Sequence, residues 1–109
     1  NLLYEEFYVI SLNSKSYIIS VDKIASGNSN SVSLNISSIF HIAIKNMASA
    51  IIICHNHPSG DCTPSYDDRI TTKKVIDASR TVQINLIDHI IIGNNVFIFV
   101  WKCMEIKEK

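Results

Sequence analysis

Between Ala50 and Asp68 the chain passes from an unbroken apolar run, Ala50-Ile51-Ile52-Ile53-Cys54, straight into His55-Asn56-His57, then through Pro58-Ser59-Gly60 and Pro64-Ser65 to Asp68. Few folds accommodate that order. A continuous β-branched run of this length reads as a strand covered on both faces. Histidines at i and i+2 at its end point the same way, because side chains alternate faces with period two. Pro58 and Gly60 break the strand. Pro64-Ser65 then opens a helix, with Ser65 as N-cap and Asp68 three positions on, where a carboxylate turns back over the first turn. Two imidazoles and a carboxylate so placed suit one cation with a fourth position open, the arrangement of catalytic zinc sites, at Zn–N distances of about 2.0–2.1 Å. Each half is weaker alone: a lone His-x-His pair is more often structural, and Ser-x-x-Asp is more often only a helix cap. Joined by a turn of this length, the two support each other.

The rest of the chain predicts a mixed α/β layer in a single domain. Phe7–Leu12 and Tyr17–Val21 are β-branched and aromatic, and Asn13-Ser14-Lys15-Ser16 between them makes a hairpin. The cluster Ser26-Gly27-Asn28-Ser29-Asn30-Ser31 reads as a surface loop. Ile39, Ile42, Ala43, Asn46 and Met47 recur at helical spacing, with Asn35, Ser37 or Ser38 as N-cap. A second helix is expected from Ser65 to about Arg80. Leu86–Ile92 and Val96–Trp101 flank Gly93-Asn94-Asn95, a hairpin signal that puts Phe97, Phe99 and Trp101 in the core of the last strand. The domain is expected to span residues 1–102, with a charged tail over 103–109.

Composition removes several classes of function. With 109 residues the chain is one domain, able to bury roughly 60–70% of its unfolded surface. Its 10 basic and 10 acidic side chains cancel, so direct binding to a nucleic acid, which needs a surplus of Lys and Arg, is not expected. The longest apolar run, Ala48–Cys54 interrupted by Ser49, falls far short of the ~20 residues that cross a bilayer. Cys54, Cys62 and Cys103 are odd in number and sit at no paired spacing, which points to a reducing, cytoplasmic setting rather than a disulfide framework. No signal peptide is visible, and a start at Asn1 rather than Met reads as a piece of a longer product. Whether the domain forms a homodimer stays open at this level.

At this point the residues resemble a known family. His55-x-His57, seven residues, Ser65, two residues, Asp68 is similar to the JAMM (MPN+) metalloprotease motif. His55-Asn56-His57-Pro58-Ser59-Gly60-Asp61 and Pro64-Ser65-x-x-Asp68 resemble the RadC branch of the JAB/MPN superfamily in particular. Glu5-Glu6-Phe7 with its following strand, Met47-Ala48-Ser49-Ala50, and Ile87-Asp88-His89-Ile90-Ile91-Ile92-Gly93 extend the resemblance over about residues 4–101. It implies a JAB/MPN (cytidine-deaminase-like) α/β fold, a mixed β-sheet flanked by helices.

The resemblance also implies roles. His55, His57 and Asp68 match zinc ligands, and zinc lowers the pKa of bound water from about 15.7 to about 7. Glu5 matches the glutamate that takes the water proton and passes it to the leaving amine; alternation lets only one of Glu5 and Glu6 face the metal, and the Glu-x-Phe register favours Glu5. Ser65 matches a serine that stabilises the developing oxyanion. The chemistry implied is hydrolysis of a peptide or isopeptide bond in a protein substrate. Two other readings accompany it: a DNA-repair-associated module whose DNA contact lies outside this fragment, and a non-catalytic MPN assembly scaffold, which would usually lack the ligands. The chain departs from the family pattern at Asn13, where Asp is usual, at Asn35-Ile36-Ser37-Ser38, where Pro-Arg-Glu is usual, and at Cys62. Cys62 is a secondary thiolate candidate, Cys54 points away from the ligand face, Asp88-His89 is either a support for the ligands or a buried structural pair, and His41 is a surface residue.

Overall fold

Asn13 makes the first turn: its Oδ1 accepts from the amides of Lys15 and Tyr17 at 2.9 and 3.0 Å. The Asn that replaces the family's usual Asp therefore still does the work of a turn acceptor. It joins β1 (Glu5–Leu12) to β2 (Ile18–Gly27) in a computed structural model that describes residues 5–27 and 34–102. β2 runs past the expected end at Val21 because the chain from Asp22 to Gly27 stays paired to β1, through a bulge at Phe7/Tyr8 that skips Ile24. Ser26 and Gly27, expected in a loop, are thus strand residues, whereas Asn28–Ser31 lie outside the described residues.

α1 (Ile36–Lys45) starts at Asn35, whose side chain accepts from Ser37 N, so the altered sequence at this helix start still provides a cap. β3 (Ala50–Asn56), α2 (Tyr66–Val82), β4 (Asn85–Ile92) and β5 (Phe97–Phe99) follow. The five strands lie in the order β2-β1-β3-β4-β5, antiparallel except for the parallel pair β3–β4 that α2 connects. This is a single α/β domain with a mixed sheet and helices, as expected.

Ile39, Phe40 and Ala43 of α1 and Val75 and Ile76 of α2 meet Val9, Ile51, Ile53 and Leu86 of the sheet in one buried cluster. Each of the larger side chains contributes about 1.5–3 kcal/mol by leaving water. Both helices therefore pack on the same face. β3 is not sealed on both sides as its apolar run predicts: Ile51, Ile53 and His55 are buried, while Ile52 and Cys54 are only partly so. The hairpin expectation for the last strands holds in its turn but not in its core. Phe97 and Phe99 are exposed at the sheet edge, and the backbone becomes helical at Val100–Lys102, which turns Trp101 inward against the main core. Cys103 and the tail lie outside the described residues, in which no helix is long and apolar enough to cross a membrane.

The register of β3 against β4 shifts between Ile51 and Ile52, where Ile51 pairs with Leu86 but Ile52 pairs with Asp88. The extra residue, Ile87, re-phases β4 so that His89 sits opposite Ile53 and is fully buried. Bulges near functional sites commonly re-aim a side chain in this way. Beyond β4, Gly93 lies against the loop after β3. A Cβ at Gly93 would come within 2.3 Å of Gly60 O, so only glycine fits this approach. Asn94 N donates to Gly60 O at 2.8 Å and His57 N to Ile92 O at 2.9 Å, which ties the loop carrying His57 to the β4–β5 turn.

Candidate metal centre

The end of β3, the start of α2 and the start of β1 converge. His55 and His57 leave β3 on one side, as their spacing requires, and Cys54 leaves on the other. Phe7, opposite His55 in the β1–β3 register, stacks on its ring at a centroid distance of 4.4 Å and 21°. Ser65 caps α2 in a full capping box: its Oγ accepts from Asp68 N at 3.0 Å, and its own N donates to Asp68 Oδ2 at 2.8 Å. The cap reading and the ligand reading of Ser65-x-x-Asp68 are therefore compatible, since the box is what aims Asp68.

Asp68 divides its two oxygens between the histidines: Oδ1 is 3.2 Å from His55 Nε2, and Oδ2 is 3.1 Å from His57 Nε2. Glu5, the first residue of β1, brings Oε1 to 3.3 Å from His55 Nε2, with only 12% of its side chain exposed. Glu6 points elsewhere, to Lys23 at 3.3 Å and to the Tyr8 hydroxyl at 3.1 Å, as strand alternation predicts. Glu5, His55, His57 and Asp68 each offer one ligand atom, and all four atoms lie within 4.8 Å of one another.

His55 Nε2 is the informative atom. It is buried, and although two carboxylate oxygens approach it, neither makes a hydrogen bond with acceptable geometry. A buried polar nitrogen left without a partner costs about 1–3 kcal/mol, and a cation seated among these four atoms is what its lone pair lacks. Two imidazoles and a carboxylate form the donor set of a catalytic zinc site, so the residues fit that metal. Asp61 O accepts from His57 Nδ1 at 2.8 Å, and because a carbonyl only accepts, the Nδ1 proton is fixed and Nε2 is the ring atom that faces Asp68. Cys62 takes no part: it packs against the buried pair Ile91 and Val100.

The charges agree with this geometry. Burial alone would raise the Asp68 carboxyl, but the two imidazoles and the Ser65 amide outweigh it and hold the group far below the usual carboxylate range. Glu5 moves the other way, raised first by burial, which the histidines only partly oppose. His57 is raised, chiefly by its hydrogen bond to Asp68.

His89, read from the sequence either as a support for the ligands or as half of a buried structural pair, lies against the imidazole of His55. Its Nε2 is 2.7 Å from His55 Nδ1, and its Nδ1 is 2.7 Å from Thr72 Oγ1. Its neighbour Asp88 is structural, with Oδ1 accepting from the amides of His89 and Trp101. Thr72 was not singled out from the sequence. The available signal was its position four residues after Asp68, which lets its hydroxyl reach the Asp68 carbonyl, here at 2.9 Å. His41 is exposed, as expected.

Burial, reinforced by the charge of His55, pushes the His89 imidazole down to about 3. Below a pH of about 6.5 the unfolded chain therefore takes a proton that the fold refuses, and stability falls with decreasing pH by about 1.4 kcal/mol per unit. The raised His57 does not mask this, because its contribution is fully present below about 6.5 and is lost only as pH rises through its folded value. The depressed Asp68 loses its contribution only below about pH 4. Raised Glu5 works in the opposite sense, so the effect is read as a difference between proteins. Urea unfolding of the metal-free domain from pH 6.5 to 4.5 should lose about 2–3 kcal/mol more in the native protein than in His89→Gln. Parallel profiles would mean that His89 accepts a proton inside the fold.

The site opens into a cleft of about 460 Å³ with Phe7, Leu34 and Pro58 as apolar walls and Ser65, Asp67 and Thr71 as polar ones. A larger hollow of about 550 Å³ between β2 and α1 holds no comparable cluster among the described residues, so volume alone does not mark the site.

Comparison with known proteins identifies the family. A family model described as a RadC-like JAB domain matches residues 1–103. The chain is 47% identical over 94 residues to a UPF0758 protein of Clostridium tetani, covering 86% of this chain and 41% of that protein. It is 46% identical over 94 residues to a UPF0758 protein of Staphylococcus carnosus, covering 86% and 42%. It is 41% identical over 105 residues to one of Alkaliphilus metalliredigens, covering 89% and 45%. The chain thus spans about two-fifths of the length of these curated relatives.

Proposed function

We propose that this chain, which belongs to the RadC-like JAB domain family, is a zinc-dependent metallohydrolase acting on a peptide or isopeptide bond. The observation that carries the reading is the convergence of four ligand-capable atoms, one of them a buried imidazole nitrogen that has no hydrogen-bond partner among the described residues. His55, His57 and Asp68 would hold the metal. When bound, zinc supplies a Lewis acid and lowers the pKa of a coordinated water to about 7.

The chain's own residues supply the rest. Glu5 borders the cleft with a carboxylate raised by burial, which brings it closer to the pH at which a base both takes and returns a proton. It would accept the water proton and deliver it to the leaving amine. Ser65 Oγ spends a lone pair on Asp68 N, so its own hydrogen remains free to point into the cleft and meet the developing oxyanion. Phe7 and Leu34 give that space an apolar wall. A scaffold role would not require the complete ligand set, and the net charge of +0 gives a DNA contact nothing to rest on within this domain. The free cysteines Cys54 and Cys62 fit a reducing cytoplasm.

The test is a screen of the full-length protein, zinc-loaded, against peptides and isopeptide-linked protein conjugates. The reading expects cleavage that a chelator stops and added zinc restores. Full zinc loading with no cleavage of either bond class would sink the hydrolase reading and leave the scaffold.

A further inference from the structure

We propose that His89 and Thr72 are positioning residues that set the tautomer of His55, through a hydrogen-bond relay that begins and ends on the metal ligands. The proposal rests on the metal reading above and concerns how the ligand is held, not which residues ligate.

The direction of every bond follows from counting hydrogens. Thr72 Oγ1 and the Asp68 carbonyl oxygen lie 2.9 Å apart, and a carbonyl cannot donate, so the single hydroxyl hydrogen of Thr72 is spent there. The 2.7 Å contact between Thr72 Oγ1 and His89 Nδ1 must then be a donation from Nδ1–H. A neutral imidazole with its hydrogen on Nδ1 has only a lone pair on Nε2, so His89 Nε2 accepts from His55 Nδ1–H at 2.7 Å. His55 is left with a lone pair on Nε2, the atom that faces Glu5 and Asp68. The absence of any hydrogen bond at that atom among the described residues is what this wiring requires.

The relay closes on itself. Asp68 presents its carboxylate to His55 and His57 and its main-chain oxygen to Thr72, so one residue anchors both ends. Two features of the chain look built for it. The β4 bulge at Ile87 puts His89 on the ligand face, and Thr72 lies one helical turn after Asp68. His55, His89 and Thr72 are all at most 1% exposed, so water cannot substitute for any link. Partners that orient a ligating imidazole in this way typically govern metal affinity by about 10–100-fold.

Thr72→Val keeps the shape and removes both functions of the hydroxyl. It should weaken zinc binding by about 10–100-fold, read by competition with a chromophoric chelator, and Thr72→Ser should restore it. The tautomers are read directly by 15N NMR of the metal-free native domain above pH 7, which needs no variant to fold. The relay predicts the hydrogen on Nδ1 in both His55 and His89. A hydrogen on Nε2 of either ring, or zinc affinity in Thr72→Val within twofold of native, would overturn it. A native domain with the predicted tautomers but no zinc would support the relay and refute the metal reading, so the two failures are distinguishable.

Discussion

Glu5→Gln should lower turnover by about 10²–10⁴-fold while zinc stays bound at the native level. The substitution keeps the length and volume of the side chain and removes its negative charge and its ability to take a proton. The geometry makes this a sharp case, because Oε1 sits 3.3 Å from His55 Nε2 and is therefore close enough to be either a base beside the metal or a fourth ligand. The two roles separate in one experiment. A base gives lost turnover with intact zinc, and a ligand gives lost zinc as well. Glu6→Gln is the internal control, since Glu6 bonds Lys23 and Tyr8 outside the cluster and should change turnover little. Turnover that survives Glu5→Gln would move the base elsewhere.

Zinc should also stabilise the fold strongly, and His57→Ala should abolish that gain. A ligand that binds only the folded state adds about 2.7 kcal/mol at a hundredfold excess over its dissociation constant. For a domain of this size that raises the melting midpoint by about 10 °C or more. His57 is the ligand to remove, because its side chain is 16% exposed whereas that of His55 is at 0% and stacked on Phe7, so truncating His57 disturbs the core least. Thermal unfolding with and without zinc would show a shift in the native protein and none in His57→Ala. An equal shift in both would mean that zinc binds at some other site.

The parts of this molecule governed by local rules were readable along the chain. Asn13 and Asn35 act through their own side chains on amides two to four residues away, and Ser65 and Asp68 cap one helical turn reciprocally. Such contacts depend on spacing, which a sequence displays. His55 and His57 were legible for the same reason, and alternation separated Glu5 from Glu6. What was missed depends on register and on the layout of the sheet. β2 continues through Asp22 and Lys23 because β1 offers it partners, although neither residue favours strands. Phe97 and Phe99 read as core residues, but β5 is an edge strand of three residues and leaves them in solvent. His89 keeps two readings in the sequence because it reaches His55 only through a bulge at Ile87, and one residue's slip moves every later side chain to the opposite face. Thr72 carried a spacing signal that acquires meaning only once His89 is known to lie beside it.

The central claim, that His55, His57 and Asp68 form a zinc site, is tested most directly by the metal content of the purified domain after equilibration with zinc at neutral pH and removal of the excess. The account predicts about one zinc per chain in the native protein, as for a mononuclear site, and none in His57→Ala. A native domain that retains no zinc under these conditions, or a His57→Ala variant that retains as much as the native protein, would contradict it.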